Sequence, residues 1–406
     1  MLSNYKVYGL KPLLRSVFKS DDWNALKPVD VLFVDHDGHR SHRFNDKQYA
    51  PLIDSLQESY LAQGKRCLTI AEPFSQIVGE RAFGHVVDFN GSFARAAIRR
   101  VVMNPFAADE KLFGTRYIRD VWLRILSRCL PKEVVAIQPS QALCSACREL
   151  GIDVSDFQHG VINNNHPWYS TSSRRDYDVD GLPTAFLCWE SESAGVIKTW
   201  AEQKGIVVRV IGNPWTRRFN NPDPSDVLVR EATADCAWLR SLPPRNRILV
   251  TLGWGWRDLV VEGMPNYLSF PTPLLNIIRD TAGTATWYIR PHPVQMHGEE
   301  RTDLLRYLHD SVGQVPNVFC TEVASVPLPA LLQSTDLHLT VGSTVTSEAA
   351  VFGIPTGLVV PDPRPTEWLQ HYYESERAAG IAEFVPNSED QIRRYIRRKL
   401  PDLFGT

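Results

Sequence analysis

An α/β fold of two Rossmann-like, doubly wound domains is what this sequence predicts, on three observations. Short apolar runs alternate with helical patterns in both halves of the 406 residues, as in 29–34 (VDVLFV) and 247–252 (RILVTL), which is the order of parallel strands joined by crossover helices. Polar residues collect just after those runs, where such sheets carry their sites. A stretch containing NNPDPSD and SLPP, within 215–244, separates the halves. The expected division is residues 1–215 for the first domain, 216–245 for a linker, 246–385 for the second domain and 386–406 for a basic terminal helix.

In the first half, strand 29–34 runs into the loop DHDGHRSHR, with a helix expected only from about Lys47 and a clear one over 51–63. The loop offers Asp37 and His39 for acid/base work or for contact with an acceptor, while its spacing matches no metal site. Strands are expected at 66–71 and 85–89, helices over 92–130, a strand at 134–137, a helix at 140–150 and a strand at 153–157. That last strand ends in Gln158-His159-Gly160 and continues into NNNHPWYS, a polar and aromatic loop suited to a polyol. His159 is a candidate base, with Asn163 and His166 as candidate acceptor contacts. Strand 185–189, helix 193–204 and strand 207–211 complete the half.

The second half opens with strand 247–252 and Gly253-Trp254-Gly255-Trp256, whose glycines allow backbone N–H groups near a phosphate. A helix at 274–281 and a strand at 285–289 lead to Arg290-Pro291-His292-Pro293. Prolines stiffen this loop, and His292 and Arg290 can donate hydrogen bonds or charge to an anion. After a short strand at 317–320 and a helix at 328–333 comes LHLTVGSTVTSEAAVFGIPTGLVV. It reads as strand, glycine turn, helix and strand, with Ser343 as N-cap and one strand face less buried than the other. The Ser343 and Thr344 hydroxyls at a helix start suit phosphate oxygens, and Glu348, one turn on, suits sugar hydroxyls of a nucleotide. In the tail, Ile392, Tyr395, Ile396 and Leu400 share one side of a basic helix, for which packing onto the body is preferred over a membrane surface.

The totals exclude several classes. A formal net charge of −2 gives no overall attraction to nucleic acid. No apolar run reaches membrane-spanning length, and Lys6, Lys11 and Arg15 interrupt the start, so a cytoplasmic location is expected. Seven cysteines with one lone Cys144/Cys147 pair read as buried thiols, and no metal or cofactor is expected.

Taken together, the QHG, GNP, RPHP and GST…SEA segments, in this order over most of the chain, resemble glycosyltransferases of the GT-B architecture, in which two nucleotide-binding-like domains face each other across a cleft. Bacterial enzymes of surface polysaccharide synthesis that use CMP-activated sugars, the Kdo and sialic acid transferases, are the nearest resemblance. It implies metal-independent transfer of a sugar from a nucleotide donor to a saccharide or lipid-linked saccharide, with peripheral contact at the inner membrane as a further expectation. The family's His-Pro and Ser/Thr pairs contact the donor phosphate and match His292-Pro293 and Ser343-Thr344; Gly253, Trp254, Arg290 and Glu348 complete the expected donor set. The family's acidic residue before a glycine is here Gln158-His159-Gly160, which passes the base role to His159 or Asp37; a retaining reaction would instead call on Asp37 or Glu190 as nucleophile. Alternatives on the same fold are a CDP-polyol phosphotransferase, a UDP-sugar epimerase and a non-catalytic nucleotide-binding subunit.

Overall fold

The computed structural model describes residues 16–103, 110–164, 166, 168–174, 178–242, 246–253, 272–296, 298–360 and 369–404. The chain divides into two compact units, Met1–Trp215 and Thr216–Thr406.

The first unit is built on β1 (Val31–Asp35), β4 (Cys67–Ala71), β5 (Glu133–Ala136), β6 (Asp153–Phe157), β7 (Ala185–Cys188) and β8 (Val207–Val210). They form a six-stranded sheet in the order β4-β1-β5-β6-β7-β8, with every pairing parallel. The order reverses between β1 and β5, so the switch point lies where those strands end. β1 and β7 are buried along their whole length, as parallel strands covered on both faces must be. The helices Asn90–Met103 and Glu110–Cys129 cover one face, with Trp122, Ile125 and Leu126 in the core.

Two expectations fail in this unit. Residues 42–49 form a hairpin, β2 (His42–Phe44) and β3 (Lys47–Tyr49), where a helix was expected from Lys47. Asn45 and Asp46 both hold positive φ, 50° and 59°, the backbone of the two-residue turn whose twist matches paired strands, and the helix starts only at Pro51. The strand expected at 85–89 reduces to single bridges, Ile70 to Val87 and Gly79 to Val86.

The second unit is built on β9 (Asn246–Thr251), β10 (Ala285–Arg290), β11 (Val318–Phe319), β12 (Leu337–Thr340), β13 (Thr356–Val360) and β14 (Ala382–Pro386). Their order, β11-β10-β9-β12-β13-β14, is that of a dinucleotide-binding sheet, with the switch point between β9 and β12. β12 is buried on both faces; the less buried face expected from His338 and Thr340 is absent because His338 bridges the hydroxyls of Thr251 (2.8 Å) and Thr356 (3.1 Å) inside the sheet. Residues 216–245, expected as a linker, carry the helices Val227–Asp235 and Ala237–Ser241 and bury Leu228, Val229 and Leu239. The basic helix Glu389–Lys399 lays Ile392, Tyr395 and Ile396 into the core of this unit, and Tyr395 rests on Gly357 of β13, where an added Cβ would lie 2.7 Å from the ring.

Candidate functional site

In the second unit the predicted donor residues gather where β10, β9 and β12 end, three neighbours across the switch point. Gln295 joins two of the loops. Its Nε2 donates to the Gly253 carbonyl (3.3 Å), its Oε1 accepts from the His292 backbone N–H (2.8 Å), and its own N–H donates to the His292 carbonyl (2.9 Å). The residue is fully buried, so a broken bond here leaves a polar group without solvent. Trp254, predicted beside Gly253, lies outside the described residues.

Arg290 is differently employed than predicted. Its Nη1 donates to the carbonyls of Val323 (2.8 Å) and Val326 (2.6 Å), which ties the loop after β11 to the end of β10. Desolvation lowers its pKa to about 10, against the favourable charge of Glu348. Glu348 in turn accepts from the Thr216 hydroxyl (3.3 Å), and desolvation pushes its carboxyl up to about 7 despite that bond and the Arg290 charge.

The turn after β12 keeps the capping contact expected of Ser343. The helix runs Val345–Val351; Thr344 before it already has helical backbone and makes no side-chain cap bond, and the Ser343 hydroxyl accepts from the Val345 N–H at 3.4 Å, the bond that an N-cap makes. Two further groups hold this turn. Thr340 Oγ1 accepts from the Ser343 N–H (3.1 Å), and the Tyr373 hydroxyl donates to the carbonyl of Ser343 (2.7 Å), with that of Gly342 at 3.1 Å. Tyr373 itself has φ 56°, an unusual backbone for a bulky residue. Ser343 is buried and Thr344 half-buried, which makes the Thr344 hydroxyl the more open of the pair.

In the first unit the predicted residues separate into scaffold and site. Asp37 is scaffold: its Oδ2 and Oδ1 accept from the N–H groups of Gln76 (2.6 Å) and Ile77 (2.8 Å), pinning the loop after β4. Gln158 is scaffold too, its Nε2 donating to Gly160 O (2.8 Å), Glu190 Oε1 (3.1 Å) and Ser193 Oγ (2.9 Å) while its Oε1 accepts from Trp189 N–H (2.6 Å). Glu190 thereby belongs to the start of the helix Ser191–Ala201. Asn163 is buried, and its carbonyl accepts from the His166 N–H (3.0 Å). His166 uses Nδ1 to accept from the Trp168 N–H (3.1 Å) and packs on Tyr169 with ring centroids 4.8 Å apart.

His39 and His159 do come together, with centroids 6.2 Å apart. The His159 ring still meets solvent, yet the packed surroundings, then His39 and His166, lower its pKa to about 4, so it is neutral at pH 7. Beside them is a charged cluster that sequence reasoning missed. Asp35 at the end of β1 pairs with His39 Nδ1 (3.2 Å) and Arg40 Nη2 (2.6 Å), and Arg40 Nη1 reaches Asp54 (3.2 Å). Desolvation raises Asp54 to about 7, against the Arg40 charge. Glu72, the first residue after β4, is likewise raised to about 7 by desolvation, with His39 opposing and Asp35 reinforcing. A small cavity at the switch point, lined by His36, His39, Glu72, Trp122 and Ser140 among others, has room for about one water. Glu72 was findable by the strand-end rule; Arg40 and Asp54 had no local signal. Among the described residues no three His, Cys, Asp or Glu side chains are grouped to hold a metal, and no helix is long and apolar enough to cross a membrane.

Two doubly wound parallel sheets with polar loops at their strand ends define a GT-B type of fold, and solved structures agree. UDP-GlcNAc 2-epimerase from Neisseria meningitidis bound to UDP-GlcNAc is similar with a TM-score of 0.53 and 14% identity over 92% of this chain and 91% of that one. The spinosyn rhamnosyltransferase SpnG complexed with thymidine diphosphate is similar at 0.52 and 17% identity, over 92% of each chain. The wall teichoic acid polymerase TagF is similar at 0.54 and 13% identity, over 99% of this chain and 87% of that one. Likeness at these identities establishes the fold. No protein-family model and no curated protein matches the sequence.

Proposed function

We propose that this protein is a glycosyltransferase that binds a nucleotide-activated sugar on its second unit and transfers the sugar to a saccharide hydroxyl recognised by its first, in the synthesis of a bacterial surface polysaccharide. The observation that carries the reading is the set of loops after β10, β9 and β12, which brings His292, Gly253 and the Ser343–Thr344 turn to one switch point, the position where such sheets bind nucleotides. The chemical need is to stabilise negative charge on the departing phosphate. The His292 imidazole and the Thr344 hydroxyl are donors suited to that, and Gln295 holds the His292 loop in place. Nucleotides and nucleotide sugars in the similar structures, UDP-GlcNAc and thymidine diphosphate, support the ligand class. The His292–Pro293 and Ser343–Thr344 pairs support a CMP-activated sugar such as CMP-Kdo as donor.

Calorimetric titration of the purified chain with CMP, CDP, UDP and GDP tests this. One nucleotide is expected to bind, CMP most tightly, and Ser343→Ala and Thr344→Ala to weaken it, the second more than the first. With that nucleotide's sugar as donor, His292→Ala is expected to reduce turnover by about two to four orders of magnitude. No binding by any nucleotide would refute the donor assignment. A phosphodiester product would replace sugar transfer with polyol-phosphate transfer, and an inverted sugar formed without an acceptor would replace it with epimerisation.

A further inference from the structure

We infer that His39, held by the Asp35 carboxylate, is the group that takes the proton from the attacking hydroxyl, and that His159 is not; the inference rests on the transfer reaction proposed above. His36, His39, His159 and His166 lie near one another, and their hydrogen bonds separate them. His36 Nδ1 accepts from the Gly38 N–H (3.0 Å) and His166 Nδ1 from the Trp168 N–H (3.1 Å), so each Nδ1 is spent as an acceptor. For His159 the structure shows neighbouring imidazoles and, among the described residues, no carboxylate partner.

His39 has the opposite arrangement. An ionised carboxylate only accepts, so Asp35 Oδ1, 3.2 Å from Nδ1, fixes the proton on Nδ1 and leaves the Nε2 lone pair to act. Asp35 is itself fixed: its side chain is fully buried against Arg40, and Arg40 is locked in turn on Asp54 and on the Gln48 carbonyl (2.9 Å). This arrangement of imidazole, carboxylate and supporting cation is built before any substrate arrives, and 24% of the His39 side chain remains in solvent. Glu72, His36 and His159 also face the ring.

The step balances without a further reactant. The acceptor O–H bond breaks as its oxygen bonds to the anomeric carbon, the proton goes to His39 Nε2, and the bond from that carbon to the phosphate oxygen breaks, its electron pair leaving with the nucleotide. Asp35 is the positioning residue, stabilising the imidazolium that forms.

The test uses the full chain, with whichever of the CMP-, CDP-, UDP- or GDP-sugars binds and methyl glycosides as acceptors, measuring nucleotide release and, separately, nucleotide affinity. His39→Gln is expected to lower kcat by about 10²–10⁴-fold with nucleotide Kd unchanged, and His159→Gln to lower it less than about tenfold. Asp35→Asn is expected to lower kcat by at least about tenfold with acceptor KM unchanged, a split that a merely structural role would not produce. Near-normal kcat in His39→Gln, or a larger loss in His159→Gln, overturns this inference and leaves the transfer reading standing. A wild-type chain that binds no nucleotide, or binds without turnover on any acceptor, overturns both.

Discussion

His338 shows what one buried side chain does to this protein. It lies in the middle of β12 with no exposed surface, bridged to Thr251 and Thr356, and burial lowers its pKa from 6.5 to about 3. Between those values the unfolded chain binds a proton that the folded chain refuses. Stability supplied by this residue is therefore complete above pH 6.5 and declines as pH falls, by about 1.4 kcal/mol per pH unit, levelling off near pH 3. Asp54, Glu72 and Glu348, whose pKa values are raised to about 7, act in the opposite sense, since stability from a raised carboxyl is lost as pH rises toward 7. The His338 contribution is isolated by comparison with His338→Gln. The difference in unfolding free energy between wild type and variant is expected to be flat above pH 7 and to slope between pH 6 and 4; parallel curves through that window would show that His338 takes up a proton in the fold. Single residues were also where sequence reasoning reached least. His39 and His159 were singled out by type and by position after a strand, but the Asp35–Arg40–Asp54 cluster is assembled by the fold from the end of β1, the loop after it and the helix Pro51–Ala62, and has no spacing to read. Asp37 looked like a candidate base because nothing in the sequence shows that its carboxylate would be spent on Gln76 and Ile77.

At the scale of elements, the central strands were the most legible because both faces of a parallel strand are buried and the run is almost wholly apolar. β2 and β3 were not, since HRF and KQY are too short and too polar to stand out, and the evidence for them is the left-handed backbone at Asn45 and Asp46. The packing of the terminal helix was foreseen from its apolar side, but its contact with Gly357 was not. That glycine is in the middle of β13, where glycine normally weakens a strand, and its use is to let Tyr395 approach: an added Cβ would also stand 2.8 Å from Leu339. Gly357→Ala is accordingly expected to destabilise the second unit by about 1–3 kcal/mol in chemical unfolding, and an unchanged midpoint would mean the helix moves aside at little cost.

For the molecule as a whole, each unit has its own buried core, one around Trp122 and Val134 and the other around Trp287 and Ile396. Scanning calorimetry is expected to resolve two unfolding transitions, with a bound nucleotide raising only the one that belongs to the second unit, by about 2.7 kcal/mol of added stability at a ligand concentration of 100 times Kd. An equal shift of both would contradict placement of the nucleotide on the second unit alone. The two-domain α/β plan was readable from alternation, whereas the helices within 216–245 were hidden by the prolines and aspartates that made the segment look like a connector. Gln295 carries a thermodynamic consequence at this same scale. Because one buried amide joins Gly253 to the His292 turn, a ligand that touches His292 is expected to order Gly253 as well. Substitutions in the two loops should then fail to add, and that coupling should vanish once the amide is gone.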